Sequence, residues 1–158
     1  MPELPRIERD LRCVVLEETL HREVPLSGQM GVAVERYDGR TLLLSADFER
    51  NINIHGTAFG GSLFSVCALC GWGLLHLQTE GWERPPHLVV AEGQIRYLKP
   101  VKHHIEVYCT LPPDFDTFVE MLQERGRARV TLKALVQAGG EPAVEFTGAY
   151  AGLLSRPR

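Results

Sequence analysis

The stretch Asn51-Ile-Asn-Ile-His-Gly-Thr-Ala-Phe-Gly-Gly-Ser62, with the apolar run that follows it to Thr79, decides how this chain folds. It contains no Asp, Glu, Lys or Arg, although 23% of the whole chain is charged. Its first part is rich in Gly, Asn and Thr, which are typical of a tight polar loop. Its second part leaves no polar stripe when wound as a helix, and such a helix must be enclosed.

Protein rather than lipid is expected to enclose this helix. A membrane span needs about 20 mainly apolar residues, whereas this run has about 18. It is also interrupted by Gly71, Gly73 and His76. We therefore predict a central helix from Ser62 to Thr79, entered through a Gly60-Gly61 turn and buried inside a sheet, and no membrane partner.

The composition is that of an ordinary globular protein. The 158 residues are 44% hydrophobic and carry a formal net charge of −3, which predicts one domain over 1–158 and no nucleic-acid partner. The opening residues show no secretory signal. The four cysteines are few and irregularly spaced, so we expect reduced thiols and a cytoplasmic location.

The remaining pattern predicts an α+β fold: an N-terminal helix, then a curved antiparallel sheet of about six strands around the central helix. Short turns between successive strands favour antiparallel pairing. A further short helix is expected to end at Gly126. The N-terminal helix is predicted over about 3–20, and the strands over Met30–Tyr37, Thr41–Phe48, His87–Leu98, His104–Leu111, Arg127–Gln137 and Ala143–Leu154.

Two motifs carry a resemblance to a known superfamily. The loop Asn53-x-x-Gly56-Thr57-x-x-Gly60-Gly61 resembles the N-x-x-G-T-x-H-G-G signature of PaaI-like and 4-hydroxybenzoyl-CoA thioesterases, and Ile95-x-Tyr97-x-x-Pro100 resembles their strand motif. Gly-Thr-Ala-Phe-Gly-Gly-Ser-Leu, followed by Gly-Trp-Gly-Leu at 71–74, is similar to the thioesterase domain at the C-terminus of YiiD-type proteins. The resemblance implies a hotdog fold over about 25–154.

This resemblance also implies a function and an assembly. The expected reaction is hydrolysis of an acyl-CoA or acyl-carrier-protein thioester by water, with no cofactor other than CoA as part of the substrate or product. Hotdog relatives pair their exposed edge strands into a continuous sheet and build the substrate tunnel at that interface. We therefore expect a homodimer, with a tetramer as the alternative assembly.

The glycine pair is the predicted electrophilic part of the site. Unpaired N–H groups and the positive dipole end at a helix N-terminus suit a developing oxyanion. One such donor typically contributes about 3 kcal/mol of transition-state stabilisation. We assign this role to the Gly61 N–H, with Gly60 shaping the turn. The alternative is that the two glycines only allow a tight entry into the helix.

Other residues of the loop are candidates for binding and catalysis. The Asn53 amide could orient water or the thioester, as the equivalent Asn is thought to do in the family, or it could bond its own loop backbone. His55 could reach the pocket or be a structural residue. The expected substrate-binding residues are Asn51, His55, Thr57, Phe59, Gly60 and Ser65.

The carboxylate of PaaI-like enzymes is missing from its usual place. Phe59 stands where they have His, and Ala68 stands where they carry an acid on the helix. Glu92, on the long strand, is the best replacement base, because partial shielding from water would raise its pKa toward a useful range. The alternative is an exposed charge on the strand face, paired with Arg96.

Four further possibilities stay open or are disfavoured. A hotdog hydratase or dehydratase needs a His paired with an acid, and this helix offers no acid. A non-catalytic acyl-thioester binding or regulatory protein is supported by Ala68. Cys67 and Cys70 spell C-x-x-C, but their place inside an apolar helix favours packing over redox chemistry. The histidines share no ligand spacing, so no metal site is expected.

Overall fold

The computed structural model describes residues 9–155, and it confirms the predicted α+β architecture. Residues 3–8 of the predicted N-terminal helix lie outside the described part. The elements are α1 (Leu11–Glu23), α2 (Pro25–Gln29), β1 (Ala33–Tyr37), β2 (Thr41–Ala46), a 3-10 turn (Glu49–Asn51), α3 (Gly60–Thr79), β3 (His87–Tyr97), β4 (Ile105–Thr110), α4 (Phe115–Arg125), β5 (Arg127–Ala138) and β6 (Glu141–Leu153). The six strands form one antiparallel sheet in the order β1-β2-β4-β5-β6-β3, packed against helix α3.

Helix α3 is the centre of the fold and packs against five of the six strands. It is long and apolar enough to pass as a membrane span by length and composition. Close contact with the sheet depends on Gly71, because a Cβ there would lie 2.2 Å from the Tyr150 hydroxyl oxygen. That hydroxyl instead donates a 2.8 Å hydrogen bond to the Ala68 carbonyl. A fully buried tyrosine thus joins β6 to the middle of α3.

Two expectations about α3 are corrected. The helix begins at Gly60, so Gly60 and Gly61 form its first turn and do not precede it. The helix is also not enclosed all round within one chain. A stripe that runs from exposed Gly61 through half-buried Ser65, Leu69, Trp72 and His76 lies away from the most buried positions. Residues four or three apart share one helix face, so this stripe is continuous along α3.

The two edges of the sheet differ in how they are covered. Helix α1 lies over β1, where the Glu17 carboxylate accepts a 2.8 Å hydrogen bond from the Val34 N–H. The His21 Nε2–H donates to the Val32 carbonyl at 2.7 Å. Side chains therefore satisfy backbone groups of the β1 edge. Strand β3 forms the other edge, is 11 residues long and is exposed along most of its length.

A bulge decides which β3 side chains face α3. Val90 lies opposite Tyr150, whose ring points to α3, whereas Glu92 lies opposite Ala149 on the other side of the sheet. The register shift between Val90 and Glu92 marks one extra residue in β3. After it, the side chains that would have faced α3 lie on the other side of the sheet. We call the side of the sheet away from α3 the outer face.

The β5–β6 hairpin is tighter than expected. The sequence predicts strands that end at Gln137 and resume at Ala143, but in the structure Ala138 pairs with Glu141. Gly139 and Gly140 have φ values of +62° and +79°, which a two-residue turn of this kind requires and glycine adopts at little cost. Both strands are therefore longer at this turn than the sequence predicts.

Candidate functional site

The loop before α3 is held in place by its own hydrogen bonds. Asn51 is 3% exposed, and its amide nitrogen donates to the Met30 carbonyl at 2.8 Å. The main-chain carbonyl of Asn51 accepts a hydrogen bond from the Phe59 N–H at 2.7 Å, which closes the loop at its base. Ile52 and Ala58 form an isolated bridge inside it. Asn51 is thus a buried anchor of the loop and does not face solvent.

Asn53 organises the tip of the same loop. Its Oδ1 accepts from the His55 N–H at 2.8 Å and the Thr57 N–H at 3.1 Å. Its Nδ2 donates to the Thr57 hydroxyl at 2.9 Å. Both ends of the amide are therefore used within the loop, in the manner of an Asx turn. This matches the structural alternative for Asn53, while its catalytic role stays a prediction.

The first turn of α3 presents unpaired backbone donors. Its first internal hydrogen bond runs from the Leu63 N–H to the Phe59 carbonyl at 3.0 Å, and no side chain caps the helix. Among the described residues, the N–H groups of Gly60, Gly61 and Ser62 consequently have no partner. The positive end of the helix dipole lies at the same point. This end of α3 can accept an anion or a polarised carbonyl oxygen.

Aromatic rings lie directly against both glycines. The Tyr97 hydroxyl donates to the Gly60 carbonyl at 2.8 Å, and a Cβ on Gly60 would lie 3.1 Å from the hydroxyl oxygen. A Cβ on Gly61 would lie 2.5 Å from the ring of Phe59, which is 54% exposed. Glycine at these positions therefore lets Tyr97 and Phe59 close over the helix start.

A cavity of about 290 Å³ opens beside this turn. No lining residue is acidic, and the one charged side chain is Lys99, which pairs with Glu141. Burial raises the pKa of Tyr97, so its hydroxyl keeps its proton and stays a donor. The lining residues are Asn53, Thr57, Ala58, Gly60, Leu63, Tyr97, Leu98, Lys99, Pro100 and Val101.

Tyr97 is the residue that sequence reasoning missed as part of the site. Its motif, Ile95-x-Tyr97-x-x-Pro100, served only to indicate the fold. The signal was present, because Ile95 and Tyr97 share one face of β3 and Ile95 packs into the core. A tyrosine on that face, near the strand end, comes close to the start of α3.

Three of the other predicted binding residues lie near this turn, and His55 does not. Thr57 lines the cavity, and Phe59 occupies the N-cap position. The Ser65 hydroxyl donates to the Gly61 carbonyl at 2.8 Å, one turn into the helix. His55 is exposed at the loop tip and does not line the cavity.

Glu92 is not brought to the glycine pair within one chain. It is exposed on the outer face and shares a shallow hollow with Gln94, Thr131 and Thr147. Within one chain Glu92 is therefore not shielded from water as expected, because the bulge turns its side chain away from α3. Its role as the general base stays a prediction. The suggested pairing with Arg96 is wrong, since Arg96 lies 3.5 Å from Glu145 on the neighbouring strand.

The C-x-x-C cysteines lie in the core. Cys67 and Cys70 are both fully buried and unbonded to one another. Burial raises the pKa of Cys67 to about 12, which disfavours the reactive thiolate. These cysteines therefore act in packing. The described part of the chain holds no group of three or more His, Cys, Asp or Glu residues placed to share a metal ion.

Comparison with known proteins decides the family. The model of the family described as "Putative thioesterase (yiiD_Cterm)" matches residues 13–153. The chain belongs to this yiiD C-terminal thioesterase family. The match spans both motifs and all six strands.

Solved structures support the same assignment. A protein described as a "putative thioesterase from Shewanella oneidensis" is 34% identical, with a TM-score of 0.83 over 91% of this chain and 99% of that one. A protein of unknown function from Chlorobaculum tepidum TLS is 33% identical, with a TM-score of 0.84 over 90% and 94%. The PaaI protein of E. coli, at 11% identity and a TM-score of 0.61 over 92% and 95%, shares the hotdog fold.

Proposed function

We propose that this yiiD C-terminal family member hydrolyses the thioester of an acyl-CoA or an acyl-carrier protein. The observation that carries the proposal is the start of α3, where the N–H groups of Gly60 and Gly61 have no partner among the described residues and Gly60 lines a cavity. A thioester carbonyl oxygen bound there would gain its negative charge at the positive end of the helix dipole.

The proposed reaction needs few groups from the protein. The oxygen of water forms a bond to the carbonyl carbon, and the oxyanion accepts a hydrogen bond from the Gly61 N–H. The C–S bond then breaks, and the proton released by water ends on the departing thiolate. Asn53 contributes by stabilising the conformation of the loop. Tyr97 contributes by its hydrogen bond to the Gly60 carbonyl, which fixes the peptide group that also carries the free Gly61 N–H.

A specific observation supports a second candidate function. Among the described residues, neither a carboxylate nor a histidine lines the cavity beside Gly60, so no base for water lies at the cavity wall. A protein that binds acyl thioesters without cleaving them would need only the carbonyl-binding half of the site. This candidate shares the geometry of the first and differs from it in turnover.

We also propose that the protein works as a homodimer paired along β3. The edge of β3 is open, whereas α1 covers the edge of β1. Val90 is 38% exposed although it points to the α3 side, and Ile54 at the loop tip is 94% exposed. A second β3 strand would extend the sheet beside Val90, and the partner chain offers apolar surface for exposed residues such as Ile54. Light scattering should give twice the mass of one chain, and the mass of a single chain at micromolar concentration would contradict the pairing.

One assay separates the two functions. Purified protein is incubated with acyl-CoAs of varied chain length and with acyl-carrier proteins, and free thiol is followed with time. Saturable turnover supports the hydrolase. Saturable binding without turnover over hours supports the binding protein, and the absence of both contradicts the two proposals together.

Variants identify the residues involved. Gly61→Ala should lower turnover or binding at least tenfold, because its Cβ collides with Phe59 at the proposed oxyanion position. Gly81→Ala is the matched control, since a Cβ there meets nothing within 4 Å. Glu92→Gln should leave turnover unchanged, because its side chain lies on the outer face. Dimer formation would not change this. If two chains pair along β3 about a twofold axis perpendicular to the sheet, Glu92 of each chain stays on the outer face.

A further inference from the structure

A second cleft, of about 820 Å³, lies on the outer face of the sheet. Val89, Ala151 and Leu153 give it an apolar floor on strands β3 and β6, and Met121 of α4 forms part of its wall. The rim is basic, with Arg125, Arg127, Arg129 and His87. Strand β3 runs from this cleft at its first residue to Tyr97 at its last, so the cleft and the start of α3 are about 30 Å apart along the strand.

The strand register fixes the positions of two of the arginines. Arg127 lies opposite Leu153, and Arg129 lies opposite Ala151 in the next row of the same face. Side chains two residues apart on a strand point the same way and are separated by about 7 Å. Arg125 approaches as the last residue of α4, just before the Gly126 C-cap. Three guanidinium groups therefore surround one apolar floor.

These three arginines have no carboxylate partner among the described residues. Two acidic residues line adjoining hollows: Asp114 shares one with Arg129, and Glu92 lies one row further along the outer face. Neither lines the cleft. In a chain whose formal net charge is −3, a cluster of free arginines marks a local preference for anions.

We propose that this cleft binds a phosphorylated nucleoside. Guanidinium groups bind phosphate oxygens in a bidentate manner and also stack on planar rings. Arg127 and Arg129 are spaced to hold phosphates at two positions of a ribose, and the floor of Val89, Ala151 and Leu153 suits a flat base. A cleft of this volume matches a small molecule of nucleotide size.

Two sources could supply this chemistry, a free nucleotide or the nucleotide end of coenzyme A. Within one chain the cleft and the start of α3 lie on opposite faces of the sheet, so nucleotide binding does not require that the proposed hydrolysis be correct. Calorimetric titrations with adenosine 3′,5′-bisphosphate, intact coenzyme A, pantetheine and inorganic phosphate separate the sources. We expect the bisphosphate and coenzyme A to bind at the cleft, and pantetheine not to bind there.

Charge reversal at the rim tests the cleft directly. The double variant Arg127→Glu/Arg129→Glu should weaken bisphosphate binding more than tenfold, and Arg125→Ala should weaken it by a smaller factor. The matched control is Lys133→Glu, which reverses a charge on the same face of β5 outside the cleft and should change binding less than twofold. Binding by the native chain should also weaken as salt is raised.

The results that overturn the proposal are distinct from those that overturn the hydrolase. No bisphosphate binding at millimolar concentration, or equal weakening by Lys133→Glu and by the double variant, would refute the nucleotide site. If the bisphosphate binds and coenzyme A does not, the free nucleotide is the ligand. Hydrolysis of an acyl-pantetheine, which lacks the nucleotide, should be unchanged in the double variant, so hydrolysis can fail while the nucleotide site stands.

Discussion

The contact between Gly71 and Tyr150 gives a sharp test of how α3 packs on the sheet. In Gly71→Ala the new Cβ would lie 2.2 Å from the Tyr150 hydroxyl oxygen and 2.5 Å from Cζ, where atoms in proteins do not approach so closely. Tyr150 is 0% exposed and its hydroxyl is bonded to the Ala68 carbonyl, so the ring cannot swing into solvent. Either the ring or the helix must move by nearly an ångström.

The cost follows from three terms. Overpacking of a core costs typically about 1–3 kcal/mol. A buried hydroxyl that loses its partner costs about 1–3 kcal/mol more. Replacement of a helical glycine by alanine stabilises the helix by about 1 kcal/mol. We therefore expect the free energy of unfolding to fall by about 3 kcal/mol, which lowers Tm by about 6–12 °C for a chain of this size.

Urea denaturation followed by circular dichroism measures this loss. Gly73→Ala is the control in the same helix, because the atoms nearest to its Cβ would be methyl groups of Leu42 and Leu16, at 3.1 and 3.2 Å. That variant should change the free energy of unfolding by less than about 1 kcal/mol. In a Tyr150→Phe background the cost of Gly71→Ala should fall, because the closest atom is gone. A neutral or stabilising Gly71→Ala would refute the proposed packing.

Three further predictions concern other parts of the molecule. Asn53→Ala removes three hydrogen bonds inside the loop and should lower the free energy of unfolding by about 1–2 kcal/mol in urea, whereas an unchanged value would show that the loop does not depend on them. Glu17→Ala leaves the Val34 N–H at the β1 edge without its acceptor and should cost about 1 kcal/mol, and no loss would contradict edge protection. Burial raises the pKa of Cys67 from its usual 9.0 to about 12, so its contribution to stability is present below pH 9 and is lost as the pH rises toward 12. In Cys67→Ala the free energy of unfolding, measured in urea, should therefore fall less steeply between pH 9 and pH 12 than in the native chain. Identical pH profiles for the two proteins would contradict the burial of this thiol.

Much of the fold follows from the sequence because its signals are local and strong. The apolar run to Thr79 can be stable only if it is covered, and the alternating strands after it supply the cover. The limits of the prediction are also local. The sequence treats the region from Ala138 to Pro142 as a loop, although Gly139 and Gly140 alone can make the turn once both adopt positive φ.

The face of Glu92 could not be predicted from alternation. An uninterrupted strand would place Glu92 on the same face as Val90, and the bulge between them reverses this. No residue type marks the bulge in advance, since Ala91 is compatible with an ordinary strand. Pairing with β6 therefore decides whether this carboxylate faces α3, and that pairing is a property of the whole sheet.

The sequence predicts the loop part of the site, but it does not predict the part contributed by strand β3. The glycine pair and the polar loop were recognisable because a helix start with unpaired N–H groups has a clear sequence signature. The contact between the Tyr97 hydroxyl and the Gly60 carbonyl was not, because it joins residues 37 positions apart. The use of the Asn53 amide inside the loop also required the folded geometry.

The most direct test of the central claim is the amide resonance of Gly61 in glycine-labelled protein. The probe is a ketone analogue, in which a methylene group replaces the sulfur, of the acyl-CoA that binds best in the panel. If the start of α3 binds the carbonyl oxygen, the Gly61 amide proton should move downfield on titration, and Gly39 in the distant β1–β2 turn should not move. Saturable binding of the analogue with an unchanged Gly61 resonance would contradict the claim.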